Sequence, residues 1–514
     1  MASAGDSHRL RSPAGFLIRI DARAREGLQQ QIYVAVRRAV LDGILAPATR
    51  LPSSRSLADD LRVSRTTTLR AYEQLAAEGY LAARHGSGTF VARELPDDLA
   101  QQVSPRRVVR TKHPQLSRRG VALVTTPGSA RRMAGPPRPF RLGVPALDLF
   151  PLRLWSQLVT RRLRSTTMAQ LDYSEPAGFA ELREAIADHV QTARGTRCVA
   201  DQVFIVGGAQ RGLQMICAVL LDPGDKVWLE EPGYPGARSA LVGAGARIIP
   251  VRVGSDGLEV AAAARQAADA RMAYVTPSHQ FPLGVTMSLP RRLALLKWAS
   301  GAGAWVVEDD YDSEFRYGTR PIPCLHGLDA DGRVIYVGTF AKTVFPALRL
   351  GFVILPSDLH DKFLAARRAA DLHPPLLEQM ALADFIVGGH YARHLRRMRV
   401  AYRERLEALA DAARRLCGGA LRLRSVHTGL HAVADLDGVD EERVYEEARD
   451  RMIEVAPLGV YFIGRRRANG LLLGFASTRP DALRRGMERL AASIEAARRP
   501  ARGQRSRALI TRES

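Results

Sequence analysis

Residues 334–352 read VIYVGTFAKTVFPALRLGF, and this stretch decides the architecture of the longer part of the chain. Val334, Ile335, Tyr336 and Val337 make a short apolar run of the length and composition of a strand buried on both faces. Gly338 closes the run, and Lys342 follows four residues on. The same unit recurs on either side as QVFIVGG at 202–208, KVWLEE at 226–231, RIIPVRV at 247–253, MAYVTPS at 272–278, AWVVEDDY at 304–311 and LGFVILP at 350–356. Helical patterns separate these runs. Such alternation predicts an α/β fold, a mostly parallel sheet with helices on both faces. Sheets of that kind bind ligands beyond the carboxyl ends of their strands, so the residues just after each run are inspected first.

Lysine is rare here: Lys112, Lys226, Lys297, Lys342 and Lys362 stand against 70 arginines. Arginine keeps its proton and cannot form an imine, whereas a desolvated lysine can. Lys342 sits where such chemistry would be placed. At another strand end, Asp309 and Tyr311 are two residues apart and point the same way if the strand continues. A carboxylate and a phenol converging there can hold a pyridinium nitrogen and a ring hydroxyl. Asp310 competes with Asp309, and the spacing to Tyr311 favours Asp309. Gly208, Ala209 and Gln210 open a helix whose free amides form an anion cradle. Thr339 and Arg349 flank Lys342 with a hydroxyl and a guanidinium for a phosphate. Tyr234, in EEPGYPG, is placed to stack on an aromatic ring. Together these describe a site for pyridoxal 5′-phosphate (PLP).

At 514 residues the chain exceeds the roughly 250–300 residues that one hydrophobic core supports. Hydrophobic residues at 46% and charged residues at 25% exclude a wholly disordered protein. The formal charge of +22 makes a polyanionic partner the first expectation. That charge is concentrated. Residues 101–140 hold nine basic residues and no acidic one, and 498–514 hold six arginines against one glutamate. Residues 93–138, interrupted by six prolines, read as a basic flexible linker, either a solvated spacer or an arm attracted to DNA phosphates. Residues 498–514 read as a basic disordered tail. The opening MASAGDSHRLRSPAG has no apolar export signal, and no run of about 18 apolar residues occurs, so a cytoplasmic protein is expected. Cys198, Cys217, Cys324 and Cys417 lie far apart with no CxxC pair, so neither disulfides nor a metal site is expected.

The first hundred residues have a different pattern. Leu28, Ile32, Ala35, Val36, Ala39 and Val40 form one stripe of a helix that ends near Gly43. PSSRSLADDL begins a second helix, and Ser64 caps a third, SRTTTLRAYEQLAAEG. On the third, Leu69, Tyr72, Leu75 and Ala76 are expected inward, with Arg65, Thr66, Thr67, Thr68 and Arg70 mostly outward. YLAAR, the turn HGSG and TFVAR then make a two-stranded wing. The whole is a winged helix-turn-helix, whose hydroxyls and helix-terminal amides suit phosphates and whose arginines reach base edges.

The segment RLPSSRSLADDLRVSRTTTLRAYEQLAAEGYLAARHGSGTFV resembles the winged-helix domain of the GntR family of transcription regulators, over about residues 16–92. That resemblance implies DNA contacts from Arg55, Ser64, Arg65, Thr66, Thr67, His85 and Gly86. Members often carry Arg where this chain has Leu69. Residues 139–497 resemble the class I, fold-type I aminotransferases. FRLGVPALDLFP, EEPGYPG, TPSHQFPLGVTMSLPRR, EDDYDSEFRY and GTFAKTVFPALRLGF are similar to the MocR/GabR subfamily, which joins the two parts in this order.

The resemblance implies a large PLP-binding domain with a smaller C-terminal subdomain and a Lys342 Schiff base. It pairs Asp309 with the pyridine nitrogen, Tyr311 with the ring oxygen and Tyr234 with the ring face. Gly208, Ala209, Gln210, Thr339 and Arg349 take the phosphate, and Tyr173 reaches the partner subunit's phosphate site. His279 is placed beside the ring, where many of these enzymes carry Asn. The subfamily is a head-to-tail homodimer on a double-stranded DNA operator, with PLP or an amine or amino-acid effector as the signal. One departure matters. The fold's carboxylate-binding Arg near the start of LLLGFAS is missing, since Leu471, Leu472 and Leu473 stand there; Arg465, Arg466, Arg467 and Arg479 are the candidate substitutes. The rival reading is a working aminotransferase with an accessory DNA-binding domain.

Overall fold

The computed structural model describes residues 10–11, 17–18, 20–21, 24, 26–84, 87–95, 116–126, 135, 138–317 and 322–499. The chain divides into two compact units, Met1–Gln115 and Leu116–Ser514.

In the first unit, short strands β1 (Leu10–Arg11) and β2 (Leu17–Ile18) precede helices α1 (Leu28–Leu41), α2 (Ser54–Leu61) and α3 (Arg65–Ala77). Strands β3 (Leu81–Arg84) and β4 (Gly88–Val91) pair antiparallel as the wing, Leu81 facing Val91 and Arg84 facing Gly88. Both helix starts are capped by serine: Ser53 Oγ accepts from the Ser56 amide at 3.0 Å and Ser64 Oγ from the Thr67 amide at 3.2 Å. Between them Arg62 takes a left-handed conformation (φ 53°), which turns the chain sharply from α2 into α3.

The inward face of α3 differs from the expected one. Thr68, Ala71, Tyr72 and Leu75 are buried, while Leu69 is 40% exposed and Ala76 is exposed. Thr68 can be buried because its hydroxyl donates to Ser54 O at 2.7 Å and to Arg65 O at 3.0 Å, which ties α3 to α2. An apolar-periodicity reading passes over a threonine whose polar atom is satisfied in this way.

The second unit opens with helix α4 (Arg118–Thr125), inside the segment expected to be a linker, so that expectation is corrected there. Ser117 Oγ caps α4 by accepting from the Gly120 amide at 2.9 Å, and Leu123 lies against Gly243 of the helix Pro235–Ala244. VALV supplies an apolar run too short to stand out among arginines and prolines.

Eight strands then make the main sheet: β5 (Val203–Val206), β6 (Lys226–Glu231), β7 (Arg247–Gly254), β8 (Gly257–Leu258), β9 (Met272–Val275), β10 (Trp305–Asp310), β11 (Val334–Thr339) and β12 (Gly351–Ile354). Their spatial order is β5-β12-β11-β10-β9-β6-β7-β8. The run β7, β6, β9, β10, β11 is parallel throughout, and only β12 and β8 run against their neighbours. Successive strand residues face opposite layers. On β10, Val306 packs with the helices Val260–Ala267 and Leu289–Ala302, and Val307 with Ala209–Leu220 and Pro235–Ala244. Both faces are thus covered, which explains the uninterrupted apolar runs.

A smaller antiparallel sheet follows, ordered β13-β14-β16-β15 from Leu421–Leu423, His431–Leu436, Ala456–Pro457 (β15) and Gly470–Gly474 (β16). It is flanked by the helices His390–Leu416, Glu441–Asp450 and Pro480–Arg498. Each of the four cysteines is buried and free.

Thr68→Val keeps the shape and removes the hydroxyl. It is expected to cost about 1–3 kcal/mol, because Ser54 O loses a partner in a buried setting. Faster hydrogen exchange at the amides of α2 and α3 in the full chain, with exchange in the main sheet unchanged, is the measurement that checks it.

Candidate functional site

A cavity of about 600 Å³ opens at the carboxyl ends of the parallel strands. Lys342, Asp309, Tyr311, Tyr234, Gly208, Ala209, Gln210, Thr339 and Arg349 all line it, although they come from separate segments of the chain. Lys342 Nζ donates to Gly143 O at 2.8 Å, and Gly143 is left-handed (φ 68°), a conformation that favours glycine.

The adjacent carboxylates at the end of β10 are separated by strand alternation. Asp310 faces away from the cavity and accepts from Arg194 Nε and from Tyr336 Oη, both at 2.7 Å. Burial works to raise its pKa, but the Arg194 charge prevails and holds it below the usual range. Asp309 faces the cavity. Its Oδ2 accepts from Tyr274 Oη at 2.6 Å, while its Oδ1 is buried without a hydrogen-bond partner. Burial pushes the Asp309 pKa up to about 7, with the nearby Asp310 and Asp312 adding to the rise and Tyr274 and Lys342 opposing it.

On the cavity wall, the helix Ala209–Leu220 begins after Gly208 (φ 88°) and has no acidic residue in its first turn. Arg349, itself left-handed (φ 54°), donates to Gly207 O at 3.1 Å, and its guanidinium lies against Gly208. Thr339 Oγ1 accepts from the Ala341 amide at 3.2 Å. These features fit PLP: an unpartnered buried carboxylate oxygen for a ring N–H, a glycine-floored helix start and guanidinium for a phosphate, and a lysine amine on the same wall.

One expected placement at this site changes. His279 does not line the cavity; Phe281, two residues on, does. His279 stands behind Tyr311, its Nδ1 3.0 and 3.1 Å from the Asp312 carboxylate oxygens and 3.0 Å from Tyr311 Oη. The loop 276–284 turns back on itself through Gln280 and so presents Phe281, edge-on to Tyr234, to the cavity. His279, Asp312 and His431 bring potential ligand atoms within 4.8 Å of one another, yet His431 Nε2 is already 3.1 Å from Pro282 O, and burial beside His279 lowers its pKa to about 4. Tyr173 is 80% exposed and is not in its own chain's cavity.

None of the arginines offered as carboxylate anchors lines the cavity. Arg466 pairs with Glu442 at 2.7 Å and Arg479 with Asp148 at 3.2 Å, and Arg465 and Arg467 are also off the wall. The arginines that do reach the wall, besides Arg349, are Arg141 and Arg449, neither of which was singled out in the sequence. Arg141 lies within the quoted motif FRLGVPALDLFP, and that was the available signal.

On α2 and α3 of the first unit, Arg55, Ser64, Arg65 and Thr66 are exposed and Thr67 is half-buried. Ser64 Oγ and Thr67 Oγ1 lie 2.8 Å apart and are occupied in the cap, which leaves Arg65, Thr66 and Leu69 as the outward face. His85 and Gly86 lie outside the described residues. Among the described residues, no helix is long and apolar enough to cross a membrane.

The fold and site define a winged-helix DNA-binding unit joined to an aminotransferase-type unit that takes PLP. Residues 28–91 match the bacterial regulatory proteins of the gntR family, and residues 149–489 match aminotransferase class I and II. The chain is 39% identical over 473 residues to the probable rhizopine catabolism regulatory protein MocR of Rhizobium meliloti, covering 92% of this chain and 94% of that protein. It is 33% identical to the pyridoxine biosynthesis transcriptional regulator PdxR of Corynebacterium glutamicum, over 88% of this chain and 93% of that one. The crystal structure of LysN, an α-aminoadipate aminotransferase of Thermus thermophilus complexed with N-(5′-phosphopyridoxyl)-L-leucine, superposes with a TM-score of 0.64 at 30% identity, over 70% of this chain and 92% of that one. The chain belongs to the MocR/GabR subfamily of GntR-type regulators, and is a DNA-binding, PLP-dependent transcription regulator.

Because its pKa is raised, Asp309 destabilises the cofactor-free protein as pH climbs from its unfolded value of about 4 to about 7. Asp309→Asn is therefore expected to gain on wild type across that window, by up to about 4 kcal/mol at neutral pH. Chemical denaturation of both cofactor-free proteins at pH 4.5 and 7.5 is the check; equal differences at the two pH values would exclude the shift.

Proposed function

We propose that the cavity is an amine-responsive switch in which Lys342 holds PLP and yields it to an effector. The observation that carries this reading is the unpartnered Oδ1 of Asp309, buried at the same cavity as Lys342, the only lysine on its wall among the described residues. Pyridoxal phosphate, when bound, supplies an aldehyde that condenses with primary amines and a pyridinium ring that draws electrons from them.

The chain's own groups then have the following roles. Asp309 accepts the ring N–H, and the new positive partner draws its raised pKa back down. Tyr311 donates to the ring oxygen, held in place by His279, which Asp312 orients in turn. Tyr234 covers the ring face. The amides of Gly208, Ala209 and Gln210, with Thr339 and Arg349, hold the phosphate. Lys342 presents its amine, and its contact with Gly143 O gives that amine a resting place when an effector displaces it.

Tyr173 is exposed and stands away from its own cavity, which supports a homodimer in which it completes the partner's phosphate site. In such a dimer two winged helices must match two half-sites, so a change at the cavity alters DNA affinity by altering their spacing. Arg65, Thr66 and Arg55, with Ser64, Thr67, His85 and Gly86, are the proposed DNA contacts. An effector with a primary amine follows from Lys342.

Two measurements test this reading. Borohydride reduction of the PLP-loaded protein should leave the cofactor's mass on the peptide containing Lys342, and Lys342→Ala should carry none; the mass on another lysine would overturn the assignment. Arg65→Ala should lose about 1–3 kcal/mol of operator binding, about five- to 150-fold in Kd. Unchanged operator affinity by fluorescence anisotropy would remove Arg65 from the contacts.

A further inference from the structure

Helix α4 stands in the stretch of chain that joins the winged helix to the sheet domain, and it rests on the helix Pro235–Ala244. Its eight residues are too few for a helix standing alone in water, which needs roughly 12–15 even with a favourable sequence. Two contacts compensate. Ser117 Oγ caps the first turn, and Leu123 packs on Gly243, where a Cβ would stand 3.8 Å from Leu123 Cδ1. The seat is shallow. No residue of α4 is buried, and even Leu123 is 44% exposed. A helix so short and so lightly held forms and melts together with its contact to Pro235–Ala244.

The opposite end of Pro235–Ala244 belongs to the cavity. Tyr234 is its N-cap and Pro235 its first residue, and both line the wall. Gln210 Nε2, from the helix start proposed to hold the phosphate, donates to Gly236 O at 2.9 Å. Gln210 Oε1 and the Tyr234 ring both crowd Gly236, so the first turn is packed closely against groups proposed for the cofactor. Ala237, Ala240 and Leu241 bury the inner side of the helix on the main sheet. At roughly 1.5 Å of rise per residue, Tyr234 and Gly243 stand about 14 Å apart along the axis. One rigid element thus joins the tyrosine proposed to face the ring to the seat of α4.

We propose that α4 is a docking helix whose seat on Pro235–Ala244 is governed by cofactor occupancy at Tyr234. This rests on the reading of the cavity as a PLP site. With a ring against Tyr234 the first turn is held in place, the helix carries that restraint to Gly243, and α4 stays seated; with the cavity empty, α4 is released. Seating sets the length of the tether. Residues 92–117 separate the wing from a seated α4. Once α4 is released, the next anchor is Arg138, whose amide donates to Glu454 at 3.4 Å. In a dimer on two half-sites a longer tether dilutes the second winged helix at its half-site, by about two- to threefold for this added length. The rival role for α4 is a permanent spacer, and such a spacer would ignore the cofactor.

The test is hydrogen exchange of the full-length protein with and without PLP, read at the amides of 121–126, alongside fluorescence anisotropy on operator DNA carrying one or two half-sites. Loading should slow exchange at these amides at least about tenfold. It should also tighten binding to two half-sites about two- to threefold and leave binding to one half-site unchanged. Leu123→Asp should abolish both responses while PLP absorbance is retained. Gly243→Gln, on the other side of the seat, should do the same, and Val124→Asp, on the exposed side of α4, should behave as wild type. Equal exchange at α4 with and without PLP, or a full response to loading in Leu123→Asp, overturns the docking role and leaves the cofactor assignment intact. A wild-type protein that takes up no PLP overturns both.

Discussion

Everything in the cavity depends on how two neighbouring carboxylates are kept from acting as one. A strand sends consecutive side chains to opposite faces, and β10 ends on Asp309 and Asp310 in that geometry. Asp310 is given a buried arginine and a phenol, and so becomes part of the scaffold. Asp309 receives a phenol on one oxygen and nothing on the other. Without Arg194, Asp310 would be an uncompensated charge behind the site, a defect that costs about 3–5 kcal/mol in buried pairs. Its field would also push Asp309 further toward the neutral form, away from the charge a pyridinium needs. The scaffold pair therefore serves the cavity without touching it.

Much of this could be read from the residues. The strand ends VGTFAK and VVEDDY carried Lys342 and Asp309 because period-two alternation and carboxyl-end placement are local rules. The preference for Asp309 over Asp310 came from its spacing to Tyr311, and the geometry of β10 gives the same order. Where the sequence misled, the deciding contact was long-range or satisfied a polar atom. Thr68 looked like a surface residue because its hydroxyl's partner, Ser54 O, lies fourteen residues away. His279 looked like a ring neighbour because nothing local reveals that its loop folds back to present Phe281. Arg141 and Arg449 reach the cavity from segments more than 300 residues apart, and no spacing argument joins them. Helix α4 was hidden among prolines and arginines that dominate the composition around it.

The two units divide the work by chemistry. The winged helix offers hydroxyls and guanidinium groups at helix starts, suited to a polyanion. The larger unit carries many of its charges in ion pairs, among them Arg194 with Asp310, Arg162 with Asp384 and Arg405 with Asp148. A positive excess near +22 could have suggested uniform stickiness toward nucleic acid. Instead the folded sheet domain is threaded with ion pairs, and most of the excess lies in the stretches before and after it.

The sulfur atoms have a practical consequence. Burial raises the thiols of Cys198, Cys217, Cys324 and Cys417, to about 12 for Cys217 and about 11 for Cys417. At neutral pH the folded chain presents almost no thiolate to a maleimide or to peroxide. A single engineered cysteine on the wing and another on the large unit would therefore accept dyes with little background. The native chain is in this respect already prepared for labelling each unit separately and following single molecules.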